Sequence, residues 1–353
     1  MIYFVVEGPG RSAMCLLLAG WGKSLASRIT IVEYRTLFRK RRLPLGSYIF
    51  AELDMLSFDE LEKVALCWDA LHNSGAPLRL LNHPLRVMRR YELLRTLHDA
   101  GINDFDVYRL TEARRPRFPV FLRPANDHSG PRSALLADQR ALDDAVEELI
   151  ARGKCREDWI IEEFCDTRDQ QGYYRKYGAF CVGGKIIPRH LQSSTEWVVK
   201  RNSRDVRADT AALEREYLET NPHEAQLKKI FALANIDYGR MDYTLQDGRI
   251  RVFEINTNPA ILTIGPSPDP LRAGVKERFA EQLLPALAAL DSCSSRDTVP
   301  IRFDPRPFYK RRRPVVELVL AVTGGLGLKR YEPEIYRRLM AVREWWNAGA
   351  RAR

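Results

Sequence analysis

The sequence predicts an α/β protein whose N-terminal part is built around a parallel sheet. In the first hundred residues, short apolar stretches typical of strands alternate with longer amphipathic stretches typical of helices. Beyond residue 115, alternating polar and apolar residues are joined by Gly-Gly and Asp-Gly pairs, which is typical of antiparallel hairpins. These two patterns favour an N-terminal parallel α/β domain followed by a second α/β region.

The N-terminal elements follow one another at short intervals. We predict strands over 2–6, 28–34, 47–53 and 78–81, and helices over 11–22, 59–75 and 86–99. Gly75 and Gly101 end two of these helices, because glycine adopts the left-handed conformation common just beyond a helix C-terminus. Pro116 and Pro119 then mark a boundary. The first domain is therefore expected to span residues 1–115.

The second region contains both hairpins. We predict strands over 119–125 and 158–164, helices over 138–152, 207–233 and 275–290, and two hairpins over 172–192 and 239–259. These elements define a second domain over residues 116–290. Residues 292–314 are polar and rich in proline and arginine, so residues 291–353 are expected to form a separate, basic C-terminal extension.

Composition and charge limit the classes of protein to which this chain is expected to belong. The chain is 45% hydrophobic and 29% charged, with a net charge of +10, and no apolar run approaches the ~18–20 residues needed to span a bilayer. The N-terminus lacks a signal-peptide pattern and the six cysteines form no CxxC pair, which favours a cytoplasmic protein with reduced thiols. The positive charge lies in arginine clusters without an RNA-binding or zinc-finger pattern, so a small anionic substrate is expected instead of a specific nucleic acid. Peripheral contact of the basic tail with a membrane and a homodimer both stay open.

One group of residues has the pattern of a metal site. The Asp247-Gly248 turn should place Asp242 and Glu254 on adjacent strands at similar heights, with Asn256 on the same face. Two carboxylates and an amide oxygen suit a hard cation such as Mg²⁺. An ion pair of Glu254 with a nearby arginine, Arg240 or Arg251, is the alternative, and the spacing alone leaves both open.

The two alternatives differ in what the substitution Glu254→Gln does to the metal-free protein. For a metal ligand, the loss of repulsion with Asp242 leaves stability unchanged or raises it. For the partner of a buried arginine, the same substitution lowers stability. From the sequence we expect the first result.

The segment GRMDY followed by DGRIRVFEINTNP resembles the metal-binding signature of the ATP-grasp superfamily, especially its D-alanine–D-alanine ligase branch of carboxylate–amine ligases. The resemblance extends over about residues 80–290 and is strongest at 239–259. It implies an ATP-grasp fold with a pre-ATP-grasp N-terminal domain and ATP held between two subdomains. It further implies two Mg²⁺ ions, with Mn²⁺ as the alternative, at Asp242, Glu254 and Asn256. Arg240 matches the arginine that stabilises the transferred phosphoryl group.

The segment WIIEEFC resembles the strand and hinge that hold adenine in this superfamily. It supplies Glu162, Glu163, Phe164 and Cys165, and the backbone of Glu163 and Cys165 is expected to contact the adenine edge. Asp169 falls where the family often has an acid for the ribose hydroxyls, although a solvated loop charge is an equal alternative.

Several cations complete the expected site. PVFLRPANDHSG resembles the strand and phosphate-covering loop of the family, with Arg123 in place of the usual lysine, and Arg90 replaces a second lysine. Arginine can bind phosphate through two N–H groups, so these replacements keep a phosphate-binding role. Arg189 and Lys200 are expected to face phosphate or an acidic substrate, with a surface role as the alternative. His190 is expected to be a satisfied polar residue and not a catalytic base.

The resemblance implies an ATP-dependent ligase. ATP would phosphorylate a carboxylate to an acylphosphate, and an amine or another nucleophile would then displace phosphate, so that ADP and phosphate are released. A phosphotransferase acting on a sugar or alcohol is one alternative, and a nucleotide-binding protein without catalysis is another. The presence of Arg240 and all three expected metal ligands argues against the last.

Overall fold

The structure is a computed structural model that describes residues 1–8, 13–112, 115–126, 130–200, 205–262, 265–291 and 297–302. The chain divides into two units, Met1–Ile301 and Arg302–Arg353. The predicted basic extension therefore lies outside the described residues from position 303 onward. Within the described ranges, no helix is long and apolar enough to cross a membrane.

The described chain contains strands and helices in the following order. The strands are β1 (Ile2–Val6), β2 (Ile29–Glu33), β3 (Arg42–Pro44), β4 (Ser47–Phe50), β5 (Leu80–Leu81), β6 (Val107–Arg109), β7 (Val120–Pro124), β8 (Trp159–Glu163), β9 (Tyr174–Val182), β10 (Lys185–Ser194), β11 (Tyr238–Gln246), β12 (Arg249–Asn256) and β13 (Thr298–Pro300). The helices are α1 (Ala13–Ala19), α2 (Tyr34–Leu37), α3 (Phe58–His72), α4 (Arg90–Asp99), α5 (Gln139–Ala151), α6 (Ala208–Thr220), α7 (Glu224–Leu233) and α8 (Val275–Ala288).

The N-terminal sheet has four strands in the order β2-β1-β4-β5, and every neighbouring pair is parallel. Ile2 of β1 lies opposite Ile29 on one side and Ser47 on the other. Helices between successive strands allow this parallel arrangement, because a parallel connection needs a long crossover. The predicted α/β class and the N-terminal parallel sheet are confirmed.

Two antiparallel sheets follow. One has three strands in the order β6-β8-β7, and the other has four in the order β10-β9-β11-β12. β6 lies before the predicted domain boundary at residue 115 but pairs with β8. β13 lies beyond the predicted boundary at residue 290 but pairs with β3. The boundaries at 115 and 290 stay predictions, and strand pairs cross both of them.

The prediction of one continuous helix over residues 207–233 is wrong, because the structure has two helices there, α6 and α7. Asn221 ends α6 with a φ of 45°, in the left-handed conformation, and its N–H donates to the carbonyl of Tyr217. Pro222 follows, and a proline disfavours helical geometry in the residue before it. Asparagine tolerates the left-handed conformation better than most residues, so the chain turns at this point.

One face of the four-stranded antiparallel sheet is divided between core and cavity. Phe180 of β9 and Tyr238 of β11 pack in an apolar cluster with Phe4 of β1 and Phe279 of α8. Side chains of a strand alternate between faces, so Lys176, four residues before Phe180, points to the same face. That end of the face lines the cavity described below. The N-terminal sheet therefore covers one half of the face and leaves the other half for the site.

Asn82 connects the N-terminal sheet to β11. Its amide nitrogen donates to the carbonyls of Phe50 (3.0 Å) and Tyr238 (2.8 Å), and its amide oxygen accepts from the N–H groups of Asp237 (2.9 Å) and Tyr238 (3.0 Å). The residue is fully buried and has a φ of 66°. One side chain thus satisfies four backbone groups that have left water.

The substitution Asn82→Ala is expected to lower the free energy of unfolding by about 3 kcal/mol, because it leaves buried backbone groups without partners. Urea unfolding measures this loss. Asn235→Ala is the matched control, since Asn235 also has a positive φ, 55°, but is exposed. Each variant places alanine in the left-handed region, which costs about 1 kcal/mol of stability. The difference between the two losses in unfolding free energy therefore measures the contribution of the Asn82 hydrogen bonds. Equal losses in the two variants would contradict the connecting role of Asn82.

Candidate active site

The site is organised by the hairpin of β11 and β12. Asp247 (φ 50°) and Gly248 (φ 74°) form its turn, and the register places Asp242 directly opposite Glu254. Residues directly opposite each other in an antiparallel pair share a face. The register shifts immediately after Asp242, because Phe253 is an additional residue in β12. The expectation that Asp242 and Glu254 lie at one height on one face is confirmed.

A cavity of about 170 Å³ lies between this hairpin and the three-stranded sheet. Its aromatic lining consists of Phe105, Phe121, Phe164, Tyr174, Trp197 and Phe253. Its charged lining consists of Arg123, Glu162, Glu163, Arg175, Lys176, Lys200, Asp242 and Glu254. The cavity therefore has an aromatic part suited to a flat ring and a charged part suited to an anion.

Asp242 is held by two cations. Arg240 contacts both of its oxygens, with Nε at 2.7 Å and Nη2 at 3.3 Å, and the ammonium of Lys176 lies at 3.3 Å. Arg240 is two residues from Asp242 on β11, and Lys176 is two residues before Gly178, which pairs with Asp242. Sequence reasoning missed Lys176, although the alternation of side chains along β9 placed it on this face.

Glu254 is held by two other cations. It accepts from Nη2 of Arg90, at the start of α4, and Nη2 of Arg123 on β7 lies at 3.6 Å. The arginines that the sequence named as alternative partners are bonded elsewhere: Arg240 binds Asp242, and Arg251 donates to the carbonyl of Ile102 at 2.7 Å. Glu254 is thus paired with arginines from distant segments of the chain, and its role as a metal ligand stays a prediction.

Arg123 links Glu254 to a second buried acid. Its Nη1 lies 3.4 Å from Oε2 of Glu162, so Arg90, Glu254, Arg123 and Glu162 form a chain of alternating charge. Burial raises the pKa of Glu162, and the charges of Arg123 and Arg90 oppose this rise. The Nε of Arg123 is buried and has no hydrogen-bond partner among the described residues. The Nε–H of Arg123 can therefore donate a hydrogen bond to an anionic ligand.

The side chain of Glu163 holds β6 and the 117–119 segment in place. It accepts from the backbone N–H of Arg117 at 2.7 Å and from the hydroxyl of Tyr108 at 3.0 Å. The N–H of Phe164, the next residue, donates to the carbonyl of Pro119 at 2.9 Å. For the N–H of Cys165, the described part of the chain provides no acceptor. Cys165 lines the cavity, and the contact of its backbone with adenine stays a prediction.

Aromatic rings line the cavity next to residues 163–165. The ring of Trp197 lies 5.7 Å from that of Phe164 and 5.1 Å from that of Phe121. Sequence reasoning had named Phe164 and missed Trp197, which lies in a loop without a motif. The thiol of Cys165 is half-buried beside Asp104, and burial together with that carboxylate raises its pKa to about 12. This thiol is therefore protonated and packs as a neutral group.

Asp169 does not line the cavity. Its carboxylate accepts from the N–H groups of Gln171 and Tyr173, both at 2.9 Å, and from Nε of Arg175 at 2.6 Å. Burial opposes ionisation of Asp169, but the hydrogen bonds from Tyr173 and Arg175 outweigh it and lower the pKa. The residue organises its own loop, and contact with a ribose stays a prediction.

The remaining predicted residues lie at different distances from the cavity. Lys200 lines the cavity next to Gly130. Its ammonium lies 3.5 Å from the position that a Cβ of residue 130 would occupy. Asn256 pairs with Arg240 in the register, and its amide oxygen accepts from the N–H of Asn258 at 2.7 Å. Arg189 lies away from the cavity lining, with Nε bonded to the carbonyl of Ile261 at 2.9 Å.

The donor set fits a divalent cation that is shared with a ligand. Within the described ranges, no group of three or more His, Cys, Asp or Glu side chains is placed to hold a metal ion by itself. Mg²⁺ typically takes only one or two protein carboxylates and completes its shell with phosphate oxygens and water. Asp242 and Glu254 supply that number of carboxylates on one face.

The fold is similar to those of several solved ligase structures. Over 82% of this chain it matches D-alanine–D-alanine ligase from Bacillus anthracis, with 14% identity, a TM-score of 0.46 and 95% of that chain covered. It also matches ATP-grasp ligase PsnB complexed with a phosphomimetic variant of its minimal precursor, Mg and ADP (14% identity, TM-score 0.45, 82% of this chain and 96% of that chain). L-amino acid ligase from Bacillus licheniformis matches with 13% identity and a TM-score of 0.41, over 84% of this chain and 75% of that chain. No protein-family model and no curated protein matches the sequence. At these identities and scores the similarity describes the arrangement of elements and not the chemistry.

Because Glu254 is paired with arginines, we now expect Glu254→Gln to lower stability, which is the opposite of the result expected from the sequence. The partners of Glu254 are buried, with 4% of the Arg90 side chain and 8% of the Arg123 side chain exposed. Removing the charge of Glu254 should lower the unfolding free energy of the ligand-free protein by about 2 kcal/mol or more, because both cations lose their counter-charge. Thermal and urea unfolding of the apo protein measure this change.

Asp242→Asn is the matched control. It relieves the same repulsion, but the cations it leaves are more exposed, 16% for Arg240 and 21% for Lys176. Water can solvate these two groups, so the expected loss is below about 1 kcal/mol. An apo protein that melts at the same temperature with and without Glu254→Gln would show that the Arg90 pair contributes nothing to stability.

Proposed function

We propose that this protein is an ATP-dependent ligase that joins a carboxylate to an amine through an acylphosphate. The observation that carries the proposal is the pair of opposed carboxylates, Asp242 and Glu254, on the cationic wall of a cavity whose other wall is aromatic. The ATP-grasp signature in the sequence of the same hairpin supports it. Adenine would lie against the Phe164 and Trp197 rings, and its edge would meet the N–H of Cys165.

Asp242, Glu254 and Asn256 are the residues that would hold Mg²⁺. When bound, the metal supplies positive charge to the triphosphate and lowers the cost of forming a more highly charged transition state. With Glu254 engaged by the metal, Arg90 and Arg123 would be available to the phosphate oxygens. Arginine suits this exchange because its fork fits both carboxylate and phosphate.

The proposed reaction has two displacements. A carboxylate oxygen of the substrate attacks the γ-phosphorus, the bond from that phosphorus to the bridging oxygen of ADP breaks, and an acylphosphate forms. The amine nitrogen then attacks the acyl carbon, the carbon–oxygen bond to phosphate breaks, and the nitrogen loses a proton to solvent. Arg240 and Lys176, which both contact Asp242, would stabilise electrostatically the negative charge that develops in both steps.

Hydroxylamine provides a test that needs no knowledge of the natural amine. Purified protein is incubated with ATP, Mg²⁺, hydroxylamine and a panel of carboxylic acids, and ADP and hydroxamate are measured together. The ligase gives ADP and hydroxamate in equal amounts with at least one acid. Formation of AMP would contradict the acylphosphate route. ADP formation with a phosphorylated sugar or alcohol as the stable product would assign the protein as a phosphotransferase.

Arg240→Lys should lower turnover by about a hundredfold or more, because a lysine cannot reproduce the two-pronged contact that a planar guanidinium makes with a transferring group. The dissociation constant of Mg·ATP, measured by quenching of tryptophan fluorescence, should change by less than about threefold. Arg249→Lys is the control, since Arg249 is an exposed arginine on the neighbouring strand of the same hairpin. Retention of full turnover by Arg240→Lys would remove Arg240 from the proposed mechanism.

A further inference from the structure

A histidine lies in the same row of the sheet as the two carboxylates. Across β10, β9, β11 and β12 the register aligns His190, Gly178, Asp242 and Glu254. Residues aligned in this way share a face, so the imidazole is on the side of the sheet that carries the site. Neighbouring strands are about 4.8 Å apart, which places the Cα of His190 about two strand spacings from that of Asp242.

Gly178 allows the imidazole to lie over β9, on the side of His190 that faces Asp242. A Cβ at position 178 would be 2.5 Å from Cε1 of His190 and 2.7 Å from its Nε2. Any side chain at this position would therefore displace the ring. The missing side chain creates the space that the ring occupies, over the residue that pairs with Asp242 in the register.

The ring carries a polar atom without a partner. His190 is only 7% exposed, and its Nε2 is buried with no hydrogen-bond partner among the described residues. Burial, together with the charges of Arg240, Arg189, Lys176 and Arg272, lowers the pKa of His190. Leaving a buried polar atom unpaired is unfavourable, and such atoms in folded proteins call for an explanation. The sequence predicts a satisfied polar residue at His190, and this prediction does not hold for Nε2.

The surroundings define the kind of ligand that would pair with Nε2. The guanidinium of Arg240 and the ammonium of Lys176 both belong to this face, and both contact Asp242 when no ligand is bound. A cationic group would be repelled here, and an anionic oxygen would be attracted. An imidazole that carries a proton on Nε2 donates a hydrogen bond to such an oxygen.

We propose that His190 is a substrate-binding residue, and that its Nε2–H donates to an oxygen of the acylphosphate, or of the carboxylate from which it forms, beside Arg240. This inference rests on the proposed ligase function and adds a recognition group on β10 to it. It also assigns a purpose to Gly178, which holds open the place of the ring.

Acetylphosphonate is a suitable probe, because it is a stable acylphosphate analogue that requires no knowledge of the natural substrate. Isothermal titration calorimetry measures its dissociation constant for protein saturated with Mg·ADP, with uncharged acetamide as the control ligand. His190→Asn keeps a nitrogen near the Nδ1 position only and should weaken binding about tenfold, the loss expected for one hydrogen bond to a charged group. His190→Gln places an N–H near the Nε2 position and should restore affinity to within about threefold of the native protein.

Gly178→Ala tests the position of the ring separately from its chemistry. It should weaken acetylphosphonate binding about tenfold when His190 is present and have little further effect when His190→Asn is already made. The dissociation constant of Mg·ADP should stay within about twofold of the native value in every variant, which shows that each variant is folded. Additive losses in the double variant would contradict the proposal.

Two further results would overturn the inference: native affinity for acetylphosphonate in His190→Asn, or no binding of acetylphosphonate by native protein saturated with Mg·ADP. The hydroxamate assay judges the ligase function independently. Protein that forms hydroxamate but binds acetylphosphonate without dependence on His190 would keep its function and lose this residue. Protein that shows the His190 dependence but forms no hydroxamate would keep the anion site and lose the ligase reaction.

Discussion

Two carboxylates that lie opposite each other on neighbouring strands repel, and the structure around the β11–β12 hairpin balances that repulsion. Like charges at opposed positions destabilise a sheet. Arg240 and Lys176 offset Asp242 from within the same sheet, while Arg90 and Arg123 offset Glu254 from α4 and β7. The second pair explains why the two antiparallel sheets approach closely at this point, because the charge of the hairpin is balanced by side chains of other elements. The cavity lies where this approach leaves space.

The use of arginine for both partners of Glu254 determines the character of this balance. A lysine is a compact charge that water solvates strongly, whereas a guanidinium is weakly hydrated and can be buried while bonded in several directions. Arg90 uses this capacity, since its Nη1 donates to the carbonyl of Pro124 while its Nη2 binds Glu254. Carboxylates thus hold Arg90 and Arg123 in fixed positions. In the proposed function, an anionic ligand has to compete with Glu254 and Glu162 for these two arginines.

The parts of the site that could be predicted from sequence depend on local geometry. The Asp-Gly turn and the alternation of strand side chains were sufficient to place Asp242 opposite Glu254. The same alternation would have identified Lys176, and Pro222 would have identified the break between α6 and α7. The partners of Glu254 were beyond such reasoning, because Arg90 is 164 residues away and the contact depends on how two sheets pack. The gap over Gly178 was equally inaccessible, since the pairing of His190 with Gly178 follows a register shift in β10 that no sequence pattern marks.

The apolar cluster shared by the N-terminal sheet and α8 has a consequence for how the chain is made. Phe4 and Ile49 pack with Phe279 and Leu290, so the sheet formed by the first strands is covered by some of the last described residues. At a synthesis rate of about 5–20 residues per second, roughly 10–50 s separate the emergence of β4 from that of α8. Met14 and Leu17 of α1 belong to the same cluster and are available from the start. On the ribosome, this short helix is the first cover of the nascent sheet, before Phe180 of β9, Tyr238 of β11 and finally α8 are synthesised.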